Sequence, residues 1–226
     1  MEKRYWDAED YDNVIRTIEF HTPQGDPYPT QSDPETSAVF NKLTDVENIS
    51  IVMEDSTLGL KHRSDFSSKM FEEYGDLVSL YSGMDREDKF IYDNELVAIY
   101  TFGMQFQILY FKTGNDRIIQ ESVDTANYAV KNIINRNEQT VVSNFDIYLD
   151  HINQEKSFSG ESLTAFADAI SIYFPKLIKT FPHANYSRML NKIKVLSAKT
   201  SSEDVRKVLS ELTLILEEKI KNSTIE

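Results

Sequence analysis

The chain contains no cysteine, which excludes a disulfide framework, a thiolate nucleophile and a cysteine-ligated zinc site. Glycine and proline are scarce, seven and six in 226 residues. That scarcity disfavours a turn-dense sandwich or barrel and favours long elements joined by short connections. No glycine-rich phosphate loop is present, and the HExxH, GxSxG and protein-kinase patterns are all missing. The four histidines, His21, His62, His151 and His183, have no second histidine three or four positions away, so a helical metal pair built from histidine alone is excluded. The opening MEKRYWDAEDYD turns acidic after four residues and lacks the apolar core of a secretion signal, so the expected compartment is the cytoplasm. The uncharged run between Glu95 and Lys112 is sixteen residues long and includes Thr101, Gln105 and Gln107, short of the roughly twenty apolar residues a membrane span needs.

What is present describes a folded chain: 40% hydrophobic and 12% aromatic residues lie well outside the composition of disordered segments. Low Gly and Ala beside plentiful Ile, Asn, Lys and Ser resembles the usage of AT-rich bacterial or phage genomes. The net charge of −13 is unevenly distributed. Residues 1–113 carry 22 acids against 10 bases, whereas residues 114–226 carry 15 against 14. A negative field of this size repels nucleic-acid phosphates and steers basic proteins toward the chain. The last segment, residues 174–226, reverses the sign with ten bases against six acids.

Periodicity predicts a helix over Ala8–Phe20, with Tyr11, Val14, Ile15 and Ile18 inward and Asp7 as cap. A proline-rich loop over residues 21–35 follows, read as a lid or peptide-like docking element or, equally, as a linker stiffened by proline. Asp33 before Pro34 predicts a short helix to about Thr44 that buries Val39, Phe40 and Leu43. Ile49, Ile51 and Met53 alternate and predict a strand. A helix through Phe66, Met70, Tyr74, Leu77, Val78 and Tyr81 closes at Gly83, with Gly75 inside it implying close packing or a weakened helix. The stretch ELVAIYTFGMQFQILYFKTG is read as two strands, Leu96–Phe102 and Gln105–Lys112, pairing with Ile49–Met53; one buried helix is the alternative.

Five helical segments follow. Ile119, Val123, Ala126, Val130 and Ile133 place a stripe on a helix over Asp116–Arg136, and a second helix is expected over Glu138–Asn153. Ser159 caps a third that Pro175 bends, a fourth covers YSRMLNKIKVL, and the fifth opens with Thr200 and Glu203 spaced as a capping box. The fold class is α+β and predominantly α: a small N-terminal antiparallel sheet with helices, then a bundle of about five helices, with all-α as the alternative. It is expected as a single α-rich domain over 1–226 with a soft internal boundary near 114.

Two kinds of candidate site emerge. Trp6 among Asp7, Glu9, Asp10 and Asp12, and Tyr92 among Asp85, Glu87, Asp88 and Asp93, interleave aromatic anchors with carboxylates as protein interfaces do. Asp146, Asp150 and His151 form the best local cluster for a hard cation or an acid–base pair, against the simpler reading of a solvated helix face. No cofactor is implied, and no nucleic-acid or membrane partner. The leading expectation is a non-catalytic immunity or inhibitor protein that neutralises a basic toxin or effector. A metal-dependent hydrolase and an oligomeric assembly subunit are the alternatives; the oligomeric state stays open.

Overall fold

The computed structural model describes residues 4–21, 28–82, 92–153 and 158–223, and among them every regular element is α-helical. The chain divides into two compact units, Met1–Arg117 and Ile118–Glu226. The first holds α1 (Ala8–His21), α2 (Ser37–Leu43), α3 (Val46–Glu54), α4 (Leu60–Ser82) and nearly all of α5 (Asp93–Glu121). The second is a bundle of α6 (Tyr128–Asn153), α7 (Gly160–Thr180), α8 (Ser187–Lys199) and α9 (Glu203–Ser223).

The N-terminal sheet is replaced by helices, and the all-α alternative fits. Residues 96–112 form the middle of α5, where Leu96, Val97, Ile99, Tyr100, Phe102, Met104, Phe106, Ile108, Leu109 and Phe111 are all buried. A helix covered on every side shows no polar face and hence no 3.6-residue period. Its β-branched and aromatic content then mimics strand propensity, which tertiary packing overrides. Residues 49–53 lie in α3, started by Asp45, whose carboxylate accepts the amides of Glu47 at 2.9 Å and Asn48 at 3.2 Å. The buried set there is Asn48, Ile49, Val52 and Met53, a helical spacing.

Around α5 the first unit packs rings. Tyr74 of α4 lies 6.1 Å from both Phe102 and Phe106, and Tyr11 of α1 lies 6.3 Å from Phe102. Gly103 makes the α4 approach possible: a Cβ there would overlap the Tyr74 hydroxyl and ring. Gly103, which lies between the two strands expected from the sequence, is therefore a helix-contact glycine. Gly75, by contrast, faces open space. A second ring cluster joins Tyr28, Tyr81 and Tyr92, with centroids 5.4 to 5.8 Å apart, and Phe40 of α2 adds an edge contact to Tyr81 at 5.6 Å. Tyr81 donates to the Pro29 carbonyl at 2.7 Å, and the buried Glu95 carboxylate accepts the Gln31 amide at 3.1 Å. The described part of the proline-rich loop is thus tied down at both ring and backbone. Residues 22–27 of that loop and the expected stop at Gly83 lie outside the described residues. In α2, Phe40 and Leu43 are buried as expected, while Val39 is exposed.

In the second unit α8 packs on α6 and α9, and α7 on α9. Phe145 of α6 meets Phe174 of α7 at 5.6 Å, among Leu149, Ile170, Leu177, Ile193, Leu209 and Leu216. Among the described residues four helices, α6 to α9, form this unit. The helix expected over Asp116–Arg136 is instead the end of α5, a connection over residues 122–127 and the beginning of α6. Its stripe is not a core face, since Ile119, Val123 and Ile133 are exposed. Ser159 caps α7 by accepting the Ser162 amide at 3.1 Å, and α7 continues through Pro175 to Thr180. The start of α9 falls two residues later than the capping-box spacing implied: Ser202 accepts the Val205 amide at 3.4 Å, while Thr200 ends α8. No helix among the described residues is long and apolar enough to cross a membrane.

Candidate functional site

The N-terminal acidic and aromatic cluster is largely spent on its own fold. Asp7 caps α1, accepting the amides of Glu9 at 3.0 Å and Asp10 at 3.2 Å, and Asp10 reaches back to the Asp7 amide at 2.8 Å. This reciprocal pair is a capping box made from two aspartates. Trp6 is half-buried and held at both backbone polar groups by Asn48, whose side-chain oxygen accepts the Trp6 amide at 2.7 Å and whose amide nitrogen donates to the Trp6 carbonyl at 3.1 Å. The same Asn48 nitrogen lies 3.1 Å from the Tyr11 hydroxyl. The Trp6 ring meets Tyr11 edge-on at 5.4 Å, with the Lys42 ammonium 5.6 Å from its centroid. Tyr92 is buried in the tyrosine cluster, and Asp93 opens α5 with its carboxylate on the Asn94 amide at 3.0 Å. Asp85, Glu87 and Asp88 lie outside the described residues. From the first cluster, Glu9 remains exposed, and Asp12 pairs with Arg16 at 2.5 Å.

Asp12 belongs to a different group of acids that only the packing of α1 on α4 assembles. Glu72, Glu73 and Asp76 sit within one turn of α4, where residues three and four apart are neighbours. Partial burial and then the negative charges of Asp12 and Asp76, with a smaller share from Glu72, push the Glu73 carboxyl above the ordinary range; Arg16 opposes them. Glu72 and Asp76 are exposed. The sequence signal, FEEYGD, was in plain view, but the fourth carboxylate comes from a residue some sixty positions upstream.

The Asp146, Asp150 and His151 cluster lies on α6 against α8. Lys192 of α8 places its ammonium 2.8 Å from Asp150 and 3.5 Å from the Asp146 carboxylate, and donates to the Asp146 carbonyl at 3.2 Å. Arg188 adds a contact to Asp146 at 3.6 Å. Burial pushes the Asp146 carboxyl up, and Lys192 and Arg188 pull it back. His151 is pulled down by burial, with Asp150 opposing, which favours the neutral imidazole. The place a bound cation would take between the two carboxylates is filled by the chain's own ammonium. Among the described residues no group of three or more histidines and acids is placed to hold a metal ion. An open hollow of about 270 Å³ is walled by His183, Tyr186, Ser187 and Lys219 among others, and the buried Glu138 carboxylate beside it accepts the His183 backbone amide at 2.9 Å.

The acidic face of α1 and α4 is therefore the best-supported candidate, and comparisons of the chain with protein-family models, curated proteins and solved structures found no match.

Proposed function

We propose that this protein is a non-catalytic binding module that engages a basic protein through the α1–α4 carboxylates, in the manner of an immunity or inhibitor protein. The observation that carries the reading is the crowding of Asp12, Glu72, Glu73 and Asp76 around Arg16; burial first, and then the charges of Asp12 and Asp76, push the Glu73 carboxyl up. Like charges held together by packing oppose the fold locally, and a partner's cations would relieve that opposition. The acid excess of the first half supplies a long-range field of the same sign. Such a field accelerates encounter, while the local carboxylates fix orientation. A cytoplasmic setting in a bacterium or phage accompanies the proposal, supported by the absent cysteine and the residue usage.

The test begins with capture of partners by the tagged full chain from its native host. The expected partner is a basic protein whose association rate falls by about tenfold or more between about 50 and 300 mM salt, because exposed charges are screened within roughly 8 Å at physiological ionic strength. The triple variant Glu72→Gln, Glu73→Gln, Asp76→Asn should lose most of that salt dependence. Binding that is indifferent to both salt and the triple variant removes this face from consideration.

A further inference from the structure

Arg16 stands apart from the other charges of the α1–α4 face. It follows Asp12 by one turn on the same side of α1, and its Nε lies 2.5 Å from the Asp12 carboxylate. Its charge also reaches α4: Asp12, Asp76 and Glu72 push the Glu73 carboxyl up, and Arg16 pulls it down. The free chain thus carries, on its own arm, a cation that offsets part of the negative charge of this face.

The arm is lightly held. The Arg16 side chain is 74% exposed and that of Asp12 is 29% exposed. Water screens such a pair, and the long side chain gives up freedom to make it, so the contact adds little to the fold. Helix α1 is anchored instead by Ala8, Tyr11, Ile15 and Ile18, all of them buried. The guanidinium can therefore leave Asp12 without loosening the helix. Its presence there also shows what the carboxylate accepts: a planar group whose N–H donors match carboxylate geometry. An arginine arriving from outside meets Asp12 already taken by a group of its own kind.

We propose that Arg16 is a built-in competitor for the α1–α4 face, an autoinhibitory arm whose guanidinium holds Asp12 in the free chain and is displaced when an arginine of the basic partner takes that carboxylate. The inference rests on the reading of this face as the partner-binding surface, and adds the chemistry of the incoming group and a brake on its entry. One exposed ion pair is exchanged for another at Asp12, so the net gain comes from further cations on Glu72, Glu73 and Asp76. The face accordingly selects a partner that carries several basic residues close together and rejects isolated ones.

Calorimetric titration of the full chain with an octa-arginine peptide at about 100 mM salt tests the proposal. Arg16→Gln should tighten binding by about two- to fivefold. Arg4→Gln removes a similarly exposed arginine of the same unit, 72% exposed beside Asp55, and should change binding by roughly 1.5-fold or less. Both side chains are exposed, so folding is not at stake. In isotope-edited NMR spectra the Arg16 Nε–H resonance should move as the peptide is added. Equal effects from the two arginine variants, or an Arg16 resonance unmoved at saturation, overturn the proposal. The reading of the face survives that result where the triple variant Glu72→Gln, Glu73→Gln, Asp76→Asn still weakens the peptide. A triple variant that binds the peptide as tightly as the parent overturns both.

Discussion

Two glycines in adjoining helices illustrate how one residue type takes opposite roles. At Gly103 a side chain would collide with Tyr74, whose ring is fixed between Phe102 and Phe106 and has nowhere to swing. At Gly75 there is open space and only the entropic cost of glycine in a helix. Gly75→Ala is therefore expected to stabilise the chain by about 1 kcal/mol and Gly103→Ala to destabilise it by about 1–3 kcal/mol, in equilibrium urea unfolding. Equal effects at the two positions would contradict the close α4–α5 contact. The sequence offers both glycines in helical or apolar surroundings and does not distinguish them, because the distinction is the position of a tyrosine 29 residues from one of them.

Among the elements, the long helices with one wet side were legible, whereas the covered α5 and the short α3 read as strands and the connection over residues 122–127 as helix. Phe166, Ile170, Phe174 and Leu177 step along α7 with the helical period, and Val205, Leu209, Leu212 and Leu216 do so along α9, because each helix keeps a wet side that makes the period visible. Helix α5 has no such side over residues 96–111. The α6–α8 seam adds a polar fastening to its apolar core: Lys192 holds the Asp146 carboxylate, which is only 6% exposed in its side chain. Removing that ammonium leaves a buried carboxylate with only the exposed Arg188, 3.6 Å away. Lys192→Met is expected to cost about 3 kcal/mol, and adding Asp146→Asn should recover much of it. Denaturant midpoints of the two variants check this, and equal losses in the single and double variants would mean that Lys192 acts through something other than Asp146.

For the molecule as a whole, the acid excess lies almost wholly in the first half of the chain. The acidic half was evident from charge counts, but which acids converge was not: Asp7 and Asp10 turned inward to cap a helix, and Asp12 joined α4 across a packing contact. The raised Glu73 carboxyl has a definite consequence for stability. Its folded-state pKa lies above the unfolded value, so the folded chain binds the proton more tightly, and this group's contribution to stability grows as pH falls through the folded pKa toward the ordinary glutamate range. Above that window the ionised group opposes the fold. Glu73→Gln is thus expected to raise the melting temperature at pH 7 and to have little effect near pH 4, a difference that thermal melts at the two pH values would show. A variant equally stabilising at both would place the benefit in packing instead of charge.

The lone tryptophan also gives the chain a built-in optical reporter. Trp6 is clamped by Asn48 of α3, set edge-on to Tyr11 of α1 and approached by the Lys42 ammonium of α2, so its emission senses the assembly of three helices of the first unit. Fluorescence and far-ultraviolet dichroism, followed together through unfolding, therefore separate the loss of the acidic unit from the loss of helix in the whole chain, without any label.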